Sequence, residues 1–171
     1  IQINSIVFPR NQYDDSYLKV CKKLGISSYR GTENHKIYES SKGDDQSLAQ
    51  RFLRLLDSYI NLTGHHCYLI NSIESNAPLN LPSSRFLRSY NKKLSFLESL
   101  KLNRIKKSMT YAAKKNLVYH IWWHPHNFGR NTGQNIKMLD KILSHYLELN
   151  KKYGFESITM QGLSNKLMNS L

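Results

Sequence analysis

The feature that most constrains the fold of this 171-residue chain is the alternation of short β-rich runs with amphipathic helical segments. The first run, "INSIVFP", is rich in β-branched and aromatic residues. The next segment has helical apolar spacing, with Asp14 or Asp15 as its N-cap and Gly25 just after its end. Since consecutive parallel strands need a crossover connection, the alternation predicts an α/β fold of parallel strands with crossover helices, as a layer or a barrel.

The same pattern continues to the end of the chain. Further strands are predicted in "ISSYRG", "HCYLIN", "LVYHIWW" and "FESIT", and further helices in "QSLAQRFLRLLDSYINL", "LSFLESLKLNRIKKSMTYAAKK" and residues 135–153. Asn116 and Gly154 are predicted to end the last two of these helices, and a terminal helix capped by Thr159 follows. Residues 76–90 contain two prolines and a serine pair, which predicts a long irregular loop of the kind that is often functional. With no repeat or linker, residues 1–171 are predicted to form one domain unit.

Composition excludes several classes of protein. Hydrophobic residues make up 40% of the chain, which is enough for a core, and the absence of an apolar run of about eighteen residues excludes a membrane-spanning helix. The net charge of +13 is spread along the chain, so it predicts either a polyanionic partner or a solvated basic surface. No zinc-finger, RNP or basic-zipper pattern is present, and we predict no specific nucleic-acid partner. Cys21 and Cys67 lack metal-type spacing and are predicted to be reduced, buried thiols, with a disulfide as the alternative.

The chain begins at Ile1 rather than at a methionine, which indicates a piece of a larger protein. Its first residues are strand-like and lack the basic lead and long apolar run of a signal peptide. The predicted location is therefore the cytoplasm or the periphery of a membrane.

The stretch "HIWWHPHNFG", residues 120–129, holds three of the seven histidines and both tryptophans. It begins as an aromatic strand, on which side-chain alternation places His120, Trp122 and His124 on one face and Trp123 on the other. In parallel α/β folds, binding and catalytic residues gather at the carboxyl ends of strands, where His124 is expected. A histidine there can act as general acid or base, although loop histidines beside tryptophans are often structural.

Metal binding by the pair His124 and His126 is less well supported, because the next acidic residue is Asp140, well inside the following helix. Two other residues share the expected location of His124: Arg10 and Arg30 each follow a short strand, where they would bind or orient a substrate or be ordinary surface arginines.

Other polar groups have simpler explanations. The histidines of "GHH", residues 64–66, precede a strand, on the side where stabilising residues are usual. The acidic doublets at 14–15 and 44–45 precede helices and are explained by capping.

Five separated stretches agree, in order and spacing, with one family. They are "IVFPRNQY", "GISSYRG", "LPSSRFLRSY", "AAKKNLVYHIWWHPHNFG" and "YGFESITM". Together they resemble the C-terminal half of polysaccharide deacetylases of the NodB-homology type, which are carbohydrate esterases acting on acetylated amino sugars. The resemblance covers nearly the whole chain, and "WWHPHNFG" is its most specific part.

The resemblance implies a distorted (β/α) barrel and a hydrolase that removes acetyl groups from an amino-sugar polysaccharide or a lipid-linked oligosaccharide. It implies a divalent metal, zinc or similar, held by one aspartate and two histidines, with a second aspartate as base and a late histidine as acid. His124 matches the acid, with His126 as the fallback, and Arg10 loosely matches the residue that orients the base. The residues predicted to bind substrate are Arg30, Arg88, Tyr90, Trp123 and Asn127.

The chain departs from the family in one major respect. It contains no "TFDD"-like segment and no H-x-x-x-H pair, which supply the base and the metal ligands. We therefore expect those groups upstream of Ile1, no metal site within the chain, and no activity from the chain alone. The alternative is a catalytically inactive module that binds a glycan or a polyanion.

Overall fold

The structure is a computed structural model that describes residues 3–38, 47–73 and 78–169. It contains five short strands, β1 to β5, every one of which pairs in parallel. Within the described residues they form a three-stranded sheet, β1-β2-β3, and a two-stranded sheet, β4-β5, and they do not close into a barrel. The predicted α/β class with parallel strands is confirmed. In chain order the strands are Ser5–Ile6, Ser28–Gly31, Leu79–Pro82, Arg85–Phe86 and Ile121–Trp122.

The two sheets adjoin at a bend between β3 and β4. Ser83 and Ser84, which separate these strands, are fully buried. The amide of Ser83 donates to the carbonyl of Gly31, whereas the amides of Ser84 and Arg85 both donate to the carbonyl of His120. Two successive amides on one carbonyl resemble a β-bulge, which turns a strand towards a new neighbour. One bent segment therefore joins β2 to β5.

In the part of the chain that the structure describes, six α-helices connect or follow the strands, and their ends agree with the predicted caps. The side chain of Asp14 accepts from the amides of Ser16 and Tyr17, and Asn116 and Gly154 adopt left-handed conformations at helix ends. The helices α1 to α6 are Asp15–Lys23, Leu48–Asp57, Glu98–Lys115, Pro125–Gly129, Thr132–Tyr153 and Met160–Met168. Short 3-10 helices span Pro9–Asn11, Lys36–Tyr38, Ile70–Ser72 and Lys92–Leu97.

Three predictions of local structure are wrong. The predicted strand "HCYLIN" makes only one bridge, Tyr68 to Val118, before the Ile70–Ser72 turn, and "FESIT" forms no strand. The predicted loop at 76–90 contains β3 and β4, although residues 76 and 77 lie outside the described part of the chain. Pro82 ends β3, where a proline is tolerated, and Leu79 and Leu81 are both buried in the core.

The main core lies between α3 and α5. Ile105 and Met109 of α3 pack there with Ile142 and Leu149 of α5 and with Leu87, which follows β4. A second core lies under α1, and a third lies between β3 and α6. Cys21 and Cys67 are free thiols, as predicted, but only Cys21 is buried and Cys67 is half-buried. None of the described helices is both long enough and apolar enough to cross a membrane.

Candidate active site at the strand ends

Side chains from three strands meet where those strands end. Trp122 is the last residue of β5, and its ring lies 4.6 Å from the ring of Phe86 at the end of β4. The His124 ring lies 5.2 Å from Trp122, edge to face, and 6.0 Å from Phe86. We call Arg30, Phe86, Trp122, His124 and His126 the strand-end cluster. It occupies the edge at which parallel α/β folds carry their binding residues.

Arg30 connects this cluster to the ends of β1 and β2. Its guanidinium carbon lies 3.7 Å from the centre of the Trp122 ring, and its Nη2 donates to Asn11 Oδ1 over 3.2 Å. The side chain is 8% exposed, and burial lowers the pKa of Arg30 despite the opposing charge of Glu33. A desolvated cation over an indole face contributes about 2 kcal/mol in favourable cases. Arg30 therefore lies at the same end as His124, as predicted.

His124 and His126 lie side by side in the exposed loop after β5. Their rings are 5.1 Å apart and nearly parallel, at 19°. The loop begins the short helix α4, in which the amide of Asn127 donates to the carbonyl of His124 over 3.0 Å. His124 contacts the rings of Trp122 and Phe86 as well as that of His126. Its imidazole is therefore flanked by three aromatic rings, while the residue as a whole remains exposed.

The two tryptophans point in opposite directions, as strand alternation predicts. Trp122 joins the strand-end cluster, whereas Trp123 stacks on Phe128 at 5.6 Å and is 37% exposed. The structure thus brings Trp122, rather than the predicted binding residue Trp123, beside Arg30 and His124. Trp123 instead holds the loop that carries the two histidines.

A groove of about 760 Å³ opens beside the cluster and shares Phe86 with it. Three predicted binding residues, Arg88, Tyr90 and Asn127, line this groove together. Its volume falls within the range of small-molecule sites, about 300 to 1,000 Å³. The remaining lining residues are Leu55, Tyr59, Ser89, Asn91, Lys92, Lys93, Leu94, Arg130 and Asn131.

Asn135 of α5 fixes the two walls of the groove to each other. Its Oδ1 accepts from the amide of Tyr90 at 2.6 Å, and its Nδ2 donates to the carbonyls of Phe128 and Arg130. The side chain is 3% exposed, so these bonds are shielded from water. Sequence reasoning missed this residue, because an asparagine inside a helix gives no sign that its amide joins two distant loops.

A buried ionic network lies behind the cluster, formed by Tyr38, Asp57, Arg85 and Arg104. Asp57 is fully buried, and its carboxylate lies 2.6 Å from Arg85 and 3.7 Å from Arg104. Burial by itself would raise the pKa of Asp57, but the charge of Arg85 and hydrogen bonds from Arg85, Tyr38 and Thr63 hold it well below its ordinary value. Sequence reasoning missed this network too, since its members are far apart along the chain.

Glu33 is a second buried carboxylate, two residues after β2. It is 6% exposed, and burial raises its pKa against the opposing charges of Arg85 and Arg30. Glu33 is therefore close enough to feel the charges of both Arg85 in the ionic network and Arg30 in the strand-end cluster. A lone glutamate after "YRGT" gives little indication in the sequence that it is buried.

The histidines of "GHH" contact the network, in keeping with the structural interpretation. His65 Nδ1 lies 2.9 Å from the hydroxyl of the buried Ser108, and His66 Nε2 lies 2.5 Å from the hydroxyl of Thr63. Burial, followed by the charge of Arg85, lowers the pKa of His66 to about 4. A neutral imidazole is the form that this environment favours.

The side chain of Arg10 and the acidic doublet at 44–45 lie outside the described residues. Within the described ranges, no three histidine, cysteine, aspartate or glutamate side chains come close enough together to hold a metal ion.

Comparison with protein-family models, curated protein sequences and solved structures finds no match for this chain.

Proposed function

We propose that this chain is the C-terminal part of a polysaccharide deacetylase of the NodB-homology type, and that it supplies the general acid and much of the sugar groove. The observation that carries this proposal is the position of His124, which packs on Trp122 at the end of β5 and stands next to the groove through Phe86. In this proposal the five parallel strands are part of a distorted (β/α) barrel.

His124 would act on the nitrogen of the departing amine. The protonated imidazole donates its ring proton to this nitrogen as the carbon–nitrogen bond of the acetamide breaks, and the imidazole is left neutral. The edge contact with Trp122 and the stacking on His126 fix the ring, so that the same nitrogen is presented in each turnover. His126 remains the fallback for this role.

The predicted binding residues divide into two groups. Arg88, Tyr90 and Asn127 line the groove and would contact the sugar, with Phe86 offering an apolar face. Arg30 is buried under Trp122 and would act as a positioning residue. Trp123 would support the loop, and the base-orienting role of Arg10 stays a prediction.

The metal of the resembled family does not fit the residues of this chain that the structure describes, because they offer no ligand cluster. The proposal for these residues concerns the proton and the groove, and the metal ligands would come from the longer protein. A location in the cytoplasm or at a membrane periphery is likewise proposed.

The proposal is tested by measuring acetate release from N-acetylglucosamine oligosaccharides, with zinc added, from the 171-residue chain and from the longer protein. We expect release from the longer protein and none from the chain alone. Acetate release by the 171-residue chain would show that it holds a complete active site and would overturn the assignment.

The second candidate, a catalytically inactive module that binds a glycan or a polyanion, is favoured by the basic groove. Glycan binding by a longer protein that releases no acetate would support this alternative and contradict the deacetylase proposal.

A further inference from the structure

We infer that the groove recognises an anionic group, a carboxylate or a phosphate, carried by the saccharide whose acetamide lies at His124. The inference rests on the proposed function for the identity of the saccharide. The anionic subsite itself follows from the charge, burial and shape of the groove.

The lining of the groove carries a net positive charge. Arg88, Lys92, Lys93 and Arg130 all line the groove, and none of its lining residues is acidic. These four cations form no salt bridge within the described ranges of the chain. Their positive potential is therefore not neutralised by the walls, and a concave site concentrates such a field on an incoming anion.

Arg88 lies in surroundings that disfavour its positive charge. Its side chain is half-buried, and its guanidinium lies 5.9 Å from the ring centre of Phe86. Burial lowers the pKa of Arg88, and this effect outweighs the opposing influence of Tyr38 and Tyr59. The free energy of keeping this guanidinium charged is therefore raised by burial, and a carboxylate or phosphate bound in the groove would offset that free-energy cost.

Two buried cations close to Arg88, namely Arg85 and Lys101, have carboxylate partners within the described fold. Arg85 binds Asp57 at 2.6 Å, and Lys101 binds Glu98 at 2.8 Å. Arg88 belongs to the same buried region but faces the groove instead of a carboxylate. The contrast points to a counter-ion that comes from the ligand.

The groove also has the side chains that bind a sugar. Tyr59, Phe86 and Tyr90 supply aromatic faces, while Asn127 and Asn131 supply amide groups beside them. Because Phe86 is common to the groove and the cluster, the anion would lie on a sugar unit adjacent to the one bearing the acetamide. The geometry therefore points to an acidic amino-sugar chain or to a phosphate-linked amino sugar.

The test is calorimetric binding to the 171-residue chain, which requires no turnover. A hyaluronan hexasaccharide presents carboxylates, UDP-N-acetylglucosamine presents phosphates, and chitohexaose is the neutral probe. We expect at least one anionic probe to bind about tenfold or more tightly than chitohexaose, as charge-assisted hydrogen bonds would give, with affinity falling as salt rises. Preference for hyaluronan identifies a uronate, and preference for the nucleotide sugar identifies a phosphate.

The variants are Arg88→Gln and the double variant Lys92→Gln/Lys93→Gln, each checked for folding by circular dichroism. The matched control is Lys137→Gln/Lys141→Gln, which removes the same charge from exposed positions of α5. We expect the groove variants, and not the control, to lose the preference for the anion. Equal binding of all probes, no binding of any, or equal losses in the control would overturn the inference. Anion-selective binding by a protein that releases no acetate would uphold it while the deacetylase proposal failed.

Discussion

The guanidinium of Arg30 lies 3.7 Å from the centre of the Trp122 ring, and this stack joins β2 of one sheet to β5 of the other. The Nε of Arg30 and the Nε1 of Trp122 are both buried and have no hydrogen-bond partner among the described residues. The stack is therefore a principal contact of both side chains, and it fixes Trp122 beneath His124. Loss of either partner should loosen the site as well as the fold.

A double-mutant cycle with Arg30→Gln and Trp122→Leu, each of which removes the stack, tests this relationship. We expect the two losses in the free energy of unfolding to be non-additive by about 1 to 2 kcal/mol, as for a desolvated cation over an aromatic ring. Urea unfolding followed by circular dichroism measures the cycle. Trp123→Leu is the matched control and should be additive with Arg30→Gln, because Trp123 stacks on Phe128 instead. Additive losses for the Arg30 and Trp122 variants would show that the stack contributes no coupling.

Asp57→Asn should be strongly destabilising, because it leaves Arg85 buried without its charge partner. The expected loss is about 3 to 5 kcal/mol, as for other broken buried pairs. Since the pKa of Asp57 is lowered in the fold, its contribution is complete above the ordinary carboxylate range and is lost as the pH falls towards the folded value. Denaturant unfolding at pH 7 measures the loss.

The control for that measurement is Asp140→Asn on the exposed face of α5, which should change stability by no more than about 0.5 kcal/mol. A loss below about 1 kcal/mol in the Asp57→Asn variant would contradict the buried pair.

His66 should make the fold sensitive to mild acid. Its pKa is about 4 in the folded chain, below the ordinary value of 6.5, so unfolding takes up a proton between these pH values. The contribution of His66 to the free energy of unfolding should therefore be complete above about pH 6.5 and should be lost as the pH falls towards 4. After allowance for partial exposure, this contribution is on the order of 2 kcal/mol. In the His66→Gln variant the decline between these pH values should be shallower than in the wild type. An unchanged decline would rule out a buried, neutral His66.

Asn135→Ala should weaken both the fold and the groove. The variant removes hydrogen bonds to Tyr90, Phe128 and Arg130 and leaves the Tyr90 amide without its acceptor. We expect a loss of about 2 to 4 kcal/mol in the free energy of unfolding. Gln134→Ala, at an exposed neighbouring position, is the control and should be nearly neutral. Equal stability of the two variants would show that Asn135 does not hold the walls together.

The sequence predicts the local features well, because their causes are local. The Asp14 and Thr159 caps, the helix ends at Asn116 and Gly154 and the opposite directions of Trp122 and Trp123 all follow from spacing and residue type. The shared position of Arg30 and His124 follows from the rule that parallel strands end at one edge.

The features that the sequence does not predict depend on contacts distant along the chain. β3 and β4 lie in a segment whose prolines and serines are typical of a loop, and they become strands only because β2 and β5 supply partners. The Asp57 and Arg85 pair likewise joins residues separated by 28 positions. The spacing of apolar residues along the sequence gives no information about pairings between such distant residues.

The most direct test of the account is the turnover of the longer protein carrying His124→Ala, measured as acetate release together with bound metal. We predict that turnover falls by a factor of about one hundred or more while the metal content is unchanged, because a general acid is removed and no ligand is lost. His126→Ala is the matched control and should reduce turnover by less than about tenfold. Loss of metal from the His124→Ala variant, or a larger fall for His126→Ala, would contradict the assignment of His124 as the acid.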